Sequence, residues 1–256
     1  MNQTINTRLK NKETLIGQWV SLSDPAVVEA LAHTGHDFLL LDGEHAPIGE
    51  SELPNLLRAA KGGSAKCIYR VRENSENRIK MGLDLGVDGI MVPRVSNAAE
   101  AQQAVNAAKY PPLGKRGIGP LRASNYYQNF AEYVATANET TTLILQIEDV
   151  AAIDHLDDVL AVKGVDALYI GPADLSASMG LFGQQGHPDF VAAVETIRAK
   201  CAASDMPLGF DTRDVNHLAE LSGQGFQVLT LGSDIAYLIS GAKSLAADIR
   251  EALGSL

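Results

Sequence analysis

Charged and polar side chains collect at the ends of short apolar runs in this chain. Asp37–Asp42 finishes on Asp42 and continues as Gly43-Glu44-His45. Ala65–Arg70 finishes on Arg70, and Gly89–Pro93 is followed by Arg94. Thr142–Glu148 closes on Gln146-Ile147-Glu148, and Ala167–Gly171 passes into Pro172-Ala173-Asp174. A buried charge is costly unless paired, so this placement suits chemistry better than packing. Glu148 and Asp174, converging from neighbouring runs, suit a hard divalent cation, with water or substrate in the remaining positions. Taken singly, Glu148 also reads as an ion-pair partner of Arg70 or Arg94, and Asp174 as a helix cap ahead of Leu175. Gly171 permits close backbone approach, and the amides that follow it suit a bound carboxylate or phosphate. His45 has the type and place of a general acid or base, or of a loop histidine with a structural hydrogen bond. His33, His36, His155, His187 and His217 fall in helices or connections and read as surface or structural. Asp84 ends a helical stretch, a poor place for an acid beside the helix dipole, which points to a partner such as a histidine. Trp19, the only tryptophan, lies near the end of the first run, where it either lines a substrate site or fills the rim. Lys66 and Lys115 are badly placed for a Schiff base, and no Gly-x-Ser-x-Gly elbow occurs.

Eight β-type runs must position these residues. They are Leu15–Ser21, Asp37–Asp42, Ala65–Arg70, Gly89–Pro93, Thr142–Glu148, Ala167–Gly171, Pro207–Asp211 and Gln227–Gly232. Several are continuously apolar, as parallel strands covered on both faces are. Helical patterns alternate with them: Pro25–Thr34, Ser51–Lys61, Glu76–Leu85, Ala98–Lys109, Ile153–Ala161, Pro188–Ala203, Asp214–Ser222 and a final Ser240–Leu253. Asp24-Pro25 reads as an N-cap followed by proline in the first turn. Eight β/α units in 256 residues predict an α/β chain folded as one (β/α)8 TIM barrel domain over residues 1–256. A doubly wound sheet is the weaker alternative, because no glycine-rich fingerprint follows the first run. The segment between Lys109 and Thr142 is long, carries an extra helix near Tyr126–Asn138, and is expected to run back across the barrel.

Composition excludes several classes. The net charge is −10 with no basic run, which disfavours nucleic acid. No apolar stretch approaches the ~18 residues of a membrane span. The first ten residues lack a signal-peptide core, so a cytoplasmic protein is expected. Cys67 and Cys201 make neither a disulfide framework nor a four-cysteine zinc site, and both read as buried thiols.

The motifs together carry a resemblance. From Gly17-Gln18-Trp19 to the last helix, the chain resembles the HpcH/HpaI family of class II pyruvate aldolases. The segments are Leu40-Leu41-Asp42-Gly43-Glu44-His45-Ala46-Pro47, the strand ending in Arg70, Tyr110-Pro111-Pro112 with Arg116-Gly117, Gln146-Ile147-Glu148, and Ile170-Gly171-Pro172-Ala173-Asp174-Leu175-Ser176. The resemblance implies a metal-dependent retro-aldol reaction on a 4-hydroxy-2-oxo acid, releasing pyruvate and an aldehyde. It implies that Glu148 and Asp174 bind Mg2+, Mn2+ or Co2+, which pyruvate chelates through its carboxylate and keto oxygen. The pyruvate carboxylate also meets the amides of Ala173 and Asp174, beside Gly171 and Pro172. Arg70 corresponds to the arginine that stabilises the enolate oxygen. His45 corresponds to a proton-transfer residue assisted by Asp84 and Asp42. Gln146 shares the strand parity of Glu148 and is expected one layer below it, with Trp19 as a further substrate contact. The segments around Arg122 and Ser124 and around Asp211 are expected on the aldehyde side. Both depart from the family pattern: Pro120 interrupts the first, and Gly209–Arg213 is more charged than expected. Hexamers are common in the family, and some members exchange the last helix between subunits. Enolate-forming decarboxylation, a citrate- or CoA-type lyase, and a non-catalytic keto-acid binder are the competing expectations.

Overall fold

The computed structural model describes residues 3–254, so Met1, Asn2, Ser255 and Leu256 of the expected domain lie outside the described residues. In chain order the elements are α1 (Ile5–Lys10), β1 (Leu15–Val20), α2 (Pro25–Ala32), β2 (Phe38–Asp42), α3 (Leu53–Ala60), β3 (Lys66–Arg70), α4 (Glu76–Asp84), β4 (Gly89–Val92) and α5 (Ala98–Ala108). There follow α6 (Phe130–Thr140), β5 (Thr142–Ile147), α7 (Val150–Asp154), α8 (Leu156–Leu160), β6 (Ala167–Ile170) and α9 (Pro172–Ser178). The last are α10 (Pro188–Ala203), β7 (Leu208–Thr212), α11 (Val215–Gly223), β8 (Val228–Ser233) and α12 (Asp234–Gly254). The strands pair in parallel and in chain order, and β1 closes on β8. The sheet is therefore a closed eight-stranded barrel with alternating helices, the (β/α)8 fold read from the sequence.

Strand parity divides the core into two. Leu39, Leu41, Tyr69, Leu143 and Leu145 face outward and pack with the helices. Phe38, Leu40, Ile68, Met91, Ile144, Tyr169 and Val228 fill the barrel, with Ile5 and Leu9 of α1 sealing its lower end. The same period of two carries inward orientation on to Asp42, Arg70 and Gln146 at the upper ends of β2, β3 and β5. Gly17 makes room for this packing, since a Cβ there would lie 2.2 Å from the Phe38 ring.

Asp24 caps α2 by accepting from the Ala26 amide, with Pro25 in the first turn, as the sequence predicts. Three helical expectations change. Ile153–Ala161 is two short helices, α7 and α8, meeting at His155. The last helix begins at Asp234, whose carboxylate accepts the amides of Ser21 and Leu22 at 2.9 and 2.8 Å. The extra helix begins only at Phe130, because Asn125, Tyr126 and Tyr127 all have positive φ and cannot enter a right-handed turn. Helix α1 is an addition, too short for a periodic pattern to reveal, whereas α9 is the helix start expected after Gly171. The long segment does not cross the barrel. Helix α5 ends and β5 begins at the same lower end, so residues 110–129 stay there. The Ala123 amide bonds to the Asp84 carbonyl, and Arg122 reaches the Leu85 carbonyl.

Among the described residues no helix is long and apolar enough to cross a membrane. Along α12 only Asp234 is buried, while Leu238, Ile239, Leu245, Ile249 and Leu253 are exposed.

Candidate active site

The upper ends of the strands enclose a cavity of about 810 Å³. Nine of the residues singled out in the sequence line it: Trp19, His45, Arg70, Gln146, Gly171, Pro172, Ala173, Asp174 and Asp211. Asp42 lines an adjoining cavity with Trp19, Arg70 and Asp211. Glu148 lines a third with His45 and Asp174.

Arg70 is the best-anchored of these groups. It is buried at the end of β3, beside its strand partner Asp42 on β2. Its Nε and Nη2 donate to Asp42 Oδ1 and Oδ2 at 3.0 and 2.9 Å, a planar bidentate pair. Nη1 lies 3.1 Å from Glu44 Oε2. The guanidinium carbon sits 4.3 Å from the centroid of the Trp19 ring. Asp42 Oδ1 also accepts the amides of Glu44 and His45 at 3.0 and 3.1 Å, which folds the strand end into a tight turn. Asp42 thus meets His45 through its backbone. The His45 imidazole projects into solvent, with Nε2 3.8 Å from Glu44 Oε2.

Glu148 follows β5 and is buried. The sequence left open an ion pair with Arg70 or Arg94. The structure instead gives Glu148 Oε1 the backbone amide of Arg94 at 2.8 Å. Arg94 holds that amide in place with φ +56°, a conformation that costs a non-glycine residue about 1–2 kcal/mol. Burial, then the nearby charge of Glu44 and that of Asp174, push the Glu148 carboxyl up to about 7. Burial likewise raises the Glu44 carboxyl, against the charges of Arg70 and His45. Glu44 therefore belongs to the site although the sequence reading gave it no role. The Asp-Gly-Glu-His run at the end of a strand was the available signal.

Gly171 closes the arc. A Cβ there would lie 2.4 Å from Glu148 Oε2 and 2.9 Å from Gln146 Nε2. Gln146 is buried, and among the described residues its Oε1 has no hydrogen-bond partner. Gly171 is also the N-cap of α9 and supplies no side chain to it, while Asp174 sits in the first turn rather than at the cap.

These residues fit a divalent cation. Among the described residues no cluster of three or more His, Cys, Asp or Glu side chains could hold a metal alone. Two carboxylates with open positions are nevertheless what Mg2+ uses when substrate or water completes its shell. Among the described residues the buried Glu148 carboxylate bonds only to an amide, beside the carboxylates of Glu44 and Asp174, which calls for positive charge. The donors are hard oxygens, and the glycine leaves the space.

Asp84, Arg122 and Ser124 are not brought to this mouth. Helix α4 runs back down the barrel, so its last residue, Asp84, lies at the lower end. There Asp84 Oδ1 accepts from buried Arg116 at 2.6 Å, and among the described residues no histidine bonds to it. Ser124 bonds to the Pro120 carbonyl in the same segment. Asp211, by contrast, is on the mouth wall. Burial pushes its carboxyl up, opposed by hydrogen bonds from Thr230 and Trp19 and by the charges of Arg213 and Arg70. His217, read as surface or structural, also lines the main cavity, as do Tyr169 and Arg213.

A family model described as HpcH/HpaI aldolase/citrate lyase matches residues 15–241. The chain is 38% identical over 241 residues to the 2-dehydro-3,6-dideoxy-6-sulfogluconate aldolase of Pseudomonas putida, covering 93% of each. It is 38% identical over 246 residues to the hydroxypyruvate/pyruvate aldolase of Roseobacter denitrificans, covering 95% of this chain and 96% of the relative. Its fold matches an HpcH/HpaI aldolase/citrate lyase family protein from Burkholderia cenocepacia with TM-score 0.91 and 30% identity, over 96% of this chain and 98% of that one. With its barrel, its strand-end residues and these relatives, the chain belongs to the HpcH/HpaI aldolase/citrate lyase family and is a carbon–carbon lyase.

Proposed function

We propose that the protein is a divalent-metal-dependent aldolase that reversibly cleaves a 4-hydroxy-2-oxo acid to pyruvate and an aldehyde. The observation that carries this reading is Arg70, buried and locked on Asp42, sharing a cavity with Gly171 and Asp174, while Gly171 packs against Glu148 of the adjoining one.

Glu148 and Asp174 would hold Mg2+, Mn2+ or Co2+, and such an ion supplies Lewis-acid polarisation of the substrate's keto oxygen. Arg70 presents a fixed positive charge where negative charge grows on that oxygen. Asp42 and Glu44 set its geometry beforehand, so little reorganisation is needed during reaction. The amides of Ala173 and Asp174, uncapped by Gly171, orient the substrate carboxylate. His45 Nε2 takes the proton of the C4 hydroxyl as the C3–C4 bond breaks. The aldehyde leaves, the electron pair of that bond stays on C3 as the enolate of pyruvate, and the proton returns to C3. The exposed imidazole suits this exchange.

Asp84, Arg122 and Ser124 reach such a mouth only from another copy of the chain. The exposed apolar face of α12, and exposed Leu113, Ile118, Leu121 and Phe130 around the segment that holds Arg116, support a homo-oligomer. A hexamer, with or without exchange of α12, is the order we expect from light scattering.

The test is pyruvate release from a panel of 4-hydroxy-2-oxo acids. Release stops with a chelator and returns with Mg2+, Mn2+ or Co2+. Full activity of metal-free enzyme contradicts the reading. Carbon dioxide in place of an aldehyde assigns the protein as a decarboxylase, and a coenzyme A requirement assigns it as a citrate-type lyase.

A further inference from the structure

Beyond Gly171 the mouth continues along β7, β8 and β1. A hydrogen-bonded chain links Asp211, Thr230, Trp19 and Tyr169 there. Trp19 Nε1 donates to Asp211 Oδ1 at 2.8 Å, and the Thr230 hydroxyl donates to the same oxygen at 2.6 Å. A threonine hydroxyl has a single hydrogen. Having given it to Asp211, Thr230 accepts from the Tyr169 hydroxyl at 2.5 Å and shares the Trp19 N–H at 3.1 Å. Both hydrogen bonds that reach Asp211 thus end on Oδ1. Among the described residues Asp211 Oδ2 accepts no hydrogen bond, while Asp211 lines both the main cavity and the adjoining one of about 570 Å³. The wall therefore presents a fixed acceptor with open lone pairs.

The position of that acceptor is tied to the chemistry. The indole that donates to Asp211 also lies under the Arg70 guanidinium, 4.3 Å from its carbon. One rigid ring therefore sets the offset between the arginine facing the keto oxygen and the acceptor on the neighbouring wall. A plain alkyl aldehyde beside Asp211 would strip the carboxylate of water and return nothing, which is costly. An aldehyde bearing a hydroxyl would replace the lost water.

We propose that Asp211 reads a hydroxyl group on the non-pyruvate half, so that the substrate class is the hydroxylated aldehyde rather than the alkyl one. This rests on the aldolase reading above.

The test is metal-supplemented condensation of pyruvate with glyceraldehyde and with propanal, a three-carbon pair differing in two hydroxyls. The readout is the ratio of the two kcat/KM values. Wild type is expected to favour glyceraldehyde by about 10–100-fold. Asp211→Leu lowers that ratio about tenfold or more, chiefly through the KM for glyceraldehyde. Asp211→Asn, which keeps an acceptor for Trp19 and Thr230, lowers it by a smaller factor. If the leucine variant does not fold, as judged by thermal melting, the asparagine ratio decides. An Asp211 that merely props Trp19 lowers both substrates in parallel, and an unchanged ratio overturns the proposal. A wild type without preference for glyceraldehyde overturns it too. Exchange of the pyruvate methyl protons in D2O, followed by NMR without aldehyde, separates the two readings. Exchange with an unchanged ratio overturns only the role of Asp211, whereas no exchange overturns the aldolase reading and this one together.

Discussion

At the lower end of the barrel, Lys109 is buried and donates to the carbonyls of Asn138 and Thr141 and, at 2.7 Å, to Asp166. Asp166 in turn accepts the Leu143 amide and the Asn6 side chain. Burial raises the Asp166 carboxyl, and the lysine charge and these hydrogen bonds oppose it. At the upper end, among the described residues, Arg70 is the arginine that ion-pairs with the group Asp42, Glu44, Glu148 and Asp174, and it is committed to Asp42 and Glu44. Among the described residues Glu148 accepts an amide, and Gln146 Oε1 has no hydrogen-bond partner. Both ends bury charge. The lower cluster matches cation to anion, whereas the upper one holds an excess of acceptors. Charge balance marks a structural cluster, and uncompensated acceptors beside a cavity mark a site that a ligand completes. This is the division of labour between the two faces of such barrels.

Substitutions at the two ends should separate accordingly. Arg70→Ala has the largest effect. It removes the fixed charge, lowering kcat by about 100–1,000-fold. It also leaves buried Asp42 without its partner, costing about 3–5 kcal/mol by denaturant titration. An Arg70→Ala enzyme with wild-type kcat would remove the mouth from the reaction. His45→Ala should lower kcat by about 100-fold, with the melting temperature held because the imidazole is exposed. Gly171→Ala pushes a methyl against Glu148 and Gln146. It should weaken Mn2+ binding, followed by calorimetry, by about 10–100-fold with the fold retained by circular dichroism. Lys109→Met has the smallest effect on turnover. It should cost about 3–5 kcal/mol of stability by stranding Asp166, while kcat of the folded enzyme stays within about twofold of wild type. A kcat loss there comparable to that of His45→Ala would break the distinction between the ends.

Much of this was legible in the residues because a strand repeats every two. The inward parity that buries Leu40, Ile68 and Ile144 continues to Asp42, Arg70 and Gln146 at the mouth. Gly171 stood out as a glycine between a strand and a helix start. What was hidden depends on long-range partners. Asp84 was expected beside a histidine, yet it meets Arg116, a residue 32 positions away that no local pattern pairs with it. Tyr126 and Tyr127 read as helix because left-handed backbone leaves little trace in side-chain periodicity. Glu44 gains its place from the tight turn that Asp42 builds, and Asp211 from donors on β1 and β8, more than 15 residues away in sequence.

On the proposed function, the acceptors at the mouth form one cation site that the substrate completes. Calorimetric titration of Mn2+ into metal-free wild type, Glu148→Gln and Asp174→Asn, with and without pyruvate, decides this. One Mn2+ per chain is expected in wild type, bound tighter when pyruvate is present, with that site lost in both variants. Equal Mn2+ binding by wild type and Glu148→Gln, or binding indifferent to pyruvate, would contradict it.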